Sequence, residues 1–103
     1  MNMNKLMQQA QKMQAGLARA QEELETLEVE GTAGGGAVKV TVNGHGDIMA
    51  VSISKDVVDP EETEMLEDLI LSALKDGITK SKSAAAAKMN SITGGLGNLP
   101  GLM

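Results

Sequence analysis

A heptad stripe at the start of the chain constrains it more than any other feature. Between residues 3 and 27 the apolar positions are Met3, Leu6, Ala10, Met13, Leu17, Ala20, Leu24 and Leu27, separated by alternating steps of three and four. That spacing keeps all of them on one face of a helix. Gln, Lys, Glu and Ala fill most other positions and favour the same conformation; Gly16 weakens the run by about 1 kcal/mol relative to Ala. Such a helix is about 37 Å long, more than one small domain can cover with its own core. Part of it must project or pack against another chain.

Composition points the same way. The 103 residues include no Phe, Trp, Tyr or Cys, but 12 Gly and 8 Met. Leu, Val, Ile, Met and Ala must supply the whole core without the large aromatic contribution. A single domain of this length buries only about 60–65% of its unfolded surface, so oligomerisation is the expected way to bury more. The absence of cysteine excludes a disulfide scaffold, a Cys-based zinc site and a thiol nucleophile. No apolar run is long enough to span a membrane, and Gln and Lys interrupt any signal-like segment at the start. The expected setting is a reducing cytoplasm.

After the first helix the periodicity changes. Residues 28–33 read as a strand, Gly34-Gly35-Gly36 as a connector, and AVKVTV as a second strand with Val38, Val40 and Val42 on one face. Asn43-Gly44-His45-Gly46 reads as a hairpin turn in which Asn-Gly tolerates positive φ. Met49, Val51 and Ile53 then share one face of a third strand. Asp59 is placed to cap a second helix, with Pro60 at its first position and Glu62 completing a capping box. Met65, Leu66, Leu69, Ile70, Ala73, Leu74 and Ile78 form its core-facing stripe. High helix propensity continues through 79–88, and the Gly-rich segment 93–103 is expected to be a flexible tail. The predicted fold is α+β: helix, three-stranded antiparallel meander, helix, in one domain over 1–92.

Little here suits catalysis. His45, the sole histidine, falls in a glycine-flanked turn, so exposure suits it better than catalysis or metal binding. The acids near residues 56–68 favour a helix start electrostatically. The three glycines lack the following helix and GK[ST] that a phosphate-cradling loop requires. No catalytic residue, metal site, cofactor or small-molecule substrate is expected.

Charge is distributed with more purpose. The formal net charge is −5, yet residues 1–21 carry Lys5, Lys12 and Arg19 with no acid, and residues 77–103 carry Lys80, Lys82 and Lys88 with no acid. Residues 22–30 hold five glutamates, and residues 56–76 hold eight acids against Lys75. Lys5, Lys12 and Arg19 occupy one heptad position, about 10 Å apart along the axis, and Gln8, Gln11 and Gln14 lie nearby. This row, with the second basic cluster, is a candidate surface for duplex phosphates; aromatic platforms for unpaired bases are absent. The competing readings are a solvated outer face and a docking stripe for a partner helix in a non-enzymatic assembly or adaptor protein.

The run MNKLMQQAQKMQAGLARAQEELETLEVEGTAGGGAVKVTVNGHGDIMAVSIS, followed by EMLEDLILSAL and GGLGNLPGL, resembles the YbaB/EbfC family of bacterial nucleoid-associated proteins. Residues 30–46 and 64–74 carry the most specific part of the likeness. The resemblance implies an α-β-β-β-α protomer in a tweezer-like homodimer. It also implies duplex-DNA binding with little or modest sequence specificity, influence on nucleoid organisation and gene expression, and a place at the nucleoid. Its terminal helices would carry the DNA contacts. Those correspond here to Lys5, Gln8, Lys12, Arg19, Lys80, Lys82 and Lys88, with Val38, Val40, Val42, Met65, Leu66, Leu69, Ile70 and Leu74 as the core and dimer set. One departure is Lys75-Asp76-Gly77, where the family tends toward Asn-Asp-Ala; Gly77 is expected to loosen the second helix.

Overall fold

A computed structural model describes residues 2–97. Helix α1 (Met3–Thr26) begins where Asn2 Oδ1 accepts the Asn4 N–H at 3.0 Å, satisfying one of the free first-turn donors. Strands β1 (Glu28–Ala33), β2 (Val38–Asn43) and β3 (Ile48–Ile53) follow as an antiparallel meander in that order. Helix α2 (Thr63–Gly97) closes the chain. The predicted α-β-β-β-α order and strand positions hold.

Register explains the core. Val29, Gly31 and Ala33 pair with Val42, Val40 and Val38, and therefore share one face of the sheet. Val38, Val40 and Val42 are buried beneath Ala73 of α2, with Leu66, Leu69, Ile70 and Leu74 packed around them. Met65 departs from the expected stripe: it is exposed, because α2 lies chiefly over β1 and β2 and Met65 falls on its flank. Residues on β3 are exposed along their whole length. An irregularity places Ile48, rather than Met49, opposite Val42 while Ala50 stays opposite Thr41, so Met49 is the extra residue that drops out of the expected alternation.

Three glycine positions behave differently from their sequence reading. Gly77 does not loosen α2, which runs through it without interruption. It lies where α2 meets β1: a Cβ on Gly77 would come 2.8 Å from Val42 Cγ2, and one on Gly31 would collide with the backbone of Ala73 and Gly77. In the β2–β3 turn the positive φ belongs to Gly46 (+88°), not to Asn43 or Gly44. Gly44 is required for closeness instead, since a Cβ there would sit 2.7 Å from Leu24 O.

Helix α2 also starts later than the sequence implied. Asp59 Oδ1 accepts the Glu61 N–H at 3.0 Å and Asp59 O accepts the Glu62 N–H at 2.9 Å, so Asp59 and Pro60 build a separate turn and the helix opens at Thr63. At its other end α2 extends to Gly97, five residues into the segment read as a tail; residues 98–103 lie outside the described residues.

Candidate nucleic-acid interface

The β2–β3 turn fixes where α1 points. Gly44 donates its N–H to Leu24 O at 2.8 Å, and His45 Nε2 lies 3.0 Å from Gln21 O. Leu24 O, one of the last-turn carbonyls of α1 that lack a helical partner, thus finds a donor in the turn, and the His45 ring adds a contact to Gln21 O. Asn43 Oδ1 accepts the N–H groups of His45 and Asp47, each at 2.9 Å, and Asn43 O accepts the buried Ser81 hydroxyl at 2.6 Å. One turn therefore ties α1, the sheet and α2 together. His45 is exposed, as its glycine neighbours implied.

Beyond that anchor α1 runs along the C-terminal part of α2, where Lys88 Nζ meets Glu23 Oε2 at 2.7 Å. Ala20 and Leu24 are buried there. The outer stripe is not: Met3, Leu6, Met13 and Leu17 are 73%, 47%, 48% and 37% exposed. From Glu23 to Met3 the helix covers about 30 Å, and from Lys88 back to Thr63 α2 covers about 37 Å. The two add up along one axis of a molecule 72 Å long.

That geometry turns the segmental charges into a spatial polarity. The acid-free stretches of α1 and α2 project together at one end. Glu22 to Glu30 lie at the sheet, and the acids of 56–68 at the far end. There, Glu61, Glu62, Glu64 and Asp68 help line a groove of about 660 Å³, a surface that repels phosphate. The acids of 56–68 are thus remote from the arms, whereas Glu22 and Glu23 sit at the base of α1, within about one turn of Arg19.

The expected contact residues do not stand alike. Lys5, Lys12 and Arg19 are exposed, as is Gln8, and none of the three cations has an acidic partner among the described residues. Lys82 is exposed and equally unpaired. Lys80, in contrast, bridges Asp76 Oδ2 at 2.9 Å and donates to Glu30 O at 3.1 Å, while Lys88 is half-buried against Glu23. The Asp76–Lys80 pair had a local signal, an acid four residues before a base on one helix. Lys88 and Glu23 lie too far apart in sequence for any local pattern to join them.

Thr32 N–H also bonds Asp76 Oδ2, at 2.9 Å. Asp76 and Lys80 thus occupy one donor and one acceptor on the free edge of β1, which blunts that edge against pairing with another chain. The Thr32 N–H first, and Lys80 second, hold the Asp76 carboxyl below the usual carboxylate range. Among the described residues no group of three His, Cys, Asp or Glu side chains could hold a metal ion. No helix there is long and apolar enough to cross a membrane.

The chain is similar to known proteins. The chain is 52% identical to a nucleoid-associated protein of Lachnoclostridium phytofermentans, over 98% of this chain and 85% of that one. It is 48% identical to one of Chloroflexus aurantiacus, over 96% and 99%. A crystal structure of an uncharacterized protein of Helicobacter pylori has the same fold, with a TM-score of 0.75 at 22% identity, covering 89% of this chain and 97% of that one. The YbaB/EbfC DNA-binding family matches residues 1–96, nearly everything from the basic arm to the end of α2, and the chain belongs to that family.

Proposed function

We propose that this protein is a non-enzymatic, nucleoid-associated protein that binds duplex DNA as a homodimer in the bacterial cytoplasm. One observation carries the reading most directly: Lys5, Lys12 and Arg19 form an exposed cationic row with no acidic partner among the described residues, on an arm whose acids begin only at its base, at Glu22. Such a row, with about 10 Å between cations, meets phosphates about three base-pair steps apart and reads no base edge, so sequence specificity is little or modest. Lys82 and Gln8 add contacts; Lys80 and Lys88 act mainly within the protein. The relatives named nucleoid-associated support the cellular setting, and effects on nucleoid organisation and gene expression follow from occupying many sites.

Dimerisation rests on the sheet. Val51 pairs with Val40 and Ile53 with Val38, so both share the core face, yet they are 50% and 38% exposed. Ile48 and Leu71 are also about half exposed. A second copy covering this face buries apolar surface at about 25 cal/mol per Å² and gives each dimer two arms.

Anisotropy titration of a labelled duplex of about 30 base pairs, with competitor of unrelated sequence, tests the reading. Saturable binding displaced almost equally by unrelated duplexes is expected. Absence of binding at low salt would contradict it and favour the adaptor alternative.

A further inference from the structure

We propose that the outer half of α1 is a self-pairing surface: two copies join antiparallel along residues 6–17, with Leu6 of each facing Leu17 of the other. The stripe there is apolar, exposed and half a helix long, and among the described residues of the stripe it is the inner end, at Ala20 and Leu24, that is buried. What flanks it decides the occupant. In heptad terms the positions bordering the seam are Met7, Gln9, Gln14 and Gly16, none charged. Partner choice in paired helices is commonly set by charges at those positions; a strongly acidic or basic partner helix finds no complement here. A second copy meets no repulsion at the seam.

Register favours the antiparallel arrangement. With Leu6 opposite Leu17, Ala10 falls opposite Met13, and each layer occurs twice by symmetry. The small Ala10 then receives the long, adaptable Met13, whereas a parallel pair would set Ala10 against Ala10 and leave a void.

Pairing also has a consequence for charge. Lys5, Lys12 and Arg19 lie about 130° around the helix from the seam centre, on the Gln9–Gly16 side. The two-fold axis of an antiparallel pair places that side of both helices on one face. Six cations gather there in three levels about 10 Å apart, Lys12 beside its counterpart and Lys5 beside Arg19. Without a polyanion they oppose pairing; a duplex lying along that face neutralises them and favours it. This second part rests on the DNA-binding reading, whereas the seam itself does not.

Since the chain has no cysteine, disulfide crosslinking gives a clean test. Leu6→Cys and Leu17→Cys proteins are mixed and oxidised by air with copper–phenanthroline, with and without a 30-base-pair duplex, after their folding is checked by thermal melting. The seam predicts a linked Leu6→Cys/Leu17→Cys pair at least tenfold above a Lys12→Cys/Leu17→Cys control. Neither seam variant alone should link to itself, because equal positions stand about 16 Å apart. The duplex should raise the yield severalfold at low salt. Linkage no greater than the control under any condition would overturn the seam, as would Leu6→Cys linking to itself, the mark of parallel pairing. A seam product unaffected by DNA, from protein that binds duplex, would overturn only the six-cation face.

Discussion

Thr32 donates its backbone N–H to Asp76 Oδ2 at 2.9 Å, and the same oxygen receives Lys80. A carboxylate on α2 thereby seals the edge strand of the sheet. Its ionised form is favoured in the folded state, so its contribution is present above the unfolded carboxylate pKa and is lost as pH falls through the lowered folded value. Urea midpoints for wild type and Asp76→Asn should differ at pH 7, with wild type more stable, and the gap should close in the acid range below pH 4. A gap independent of pH would mean that shape, not charge, is what Asp76 provides.

Close packing of α2 on β1 predicts an order of damage. Gly31→Ala drives a methyl into helix backbone that cannot rotate aside, and should cost about 3 kcal/mol or more. Gly77→Ala presses on the Val40 and Val42 methyls, at 3.0 and 2.8 Å, and reaches Gly31 Cα only at ordinary contact distance, 3.4 Å; it also gains about 1 kcal/mol of helix propensity. Its loss should be smaller, about 1–2 kcal/mol. Denaturant melts of both variants check the order.

The Glu23–Lys88 pair is half-exposed and contributes about 0.2–1 kcal/mol to stability. Removing its acid releases a cation beside the arm. Glu23→Gln should therefore bind duplex roughly two- to fivefold more tightly at low salt, through one additional phosphate contact, with a melting temperature close to wild type. Lys88→Gln should change DNA affinity far less than Lys12→Gln does. Anisotropy titrations of the three variants decide between these roles.

Placing a charge on the open face of β3 tests the dimer. Val51→Asp should leave the protomer folded, since Val51 is already 50% exposed, and in the absence of DNA should shift sedimentation from dimer to monomer. With one arm in place of two, its DNA affinity should fall at least tenfold.

How far the sequence led depended on whether its signals were local. The steps of three and four located α1, alternating valines located β2, and Gly34–Gly36 marked the connector, each through short-range periodicity. Asp59 misled because an aspartate before Pro-Glu-Glu caps a turn as readily as a helix. Gly44 and Gly77 were misread as conformational residues; their purpose is close approach to Leu24 and to the valines of β2, visible only once distant segments meet. The same holds for the site. The α1 row was legible because its residues recur every seven positions, whereas Lys88 looked equally free until Glu23 appeared beside it.

The most direct test of the account is the salt dependence of duplex affinity for wild type and for the Lys5→Glu, Lys12→Glu, Arg19→Glu triple variant. Four to six neutralised phosphates per dimer predict a wild-type slope of log K against log salt of about −4 to −5. The triple variant should remain folded and dimeric yet show no binding at low salt. Equal affinity and slope for the two proteins would contradict the account and return the α1 row to the status of a solvated surface.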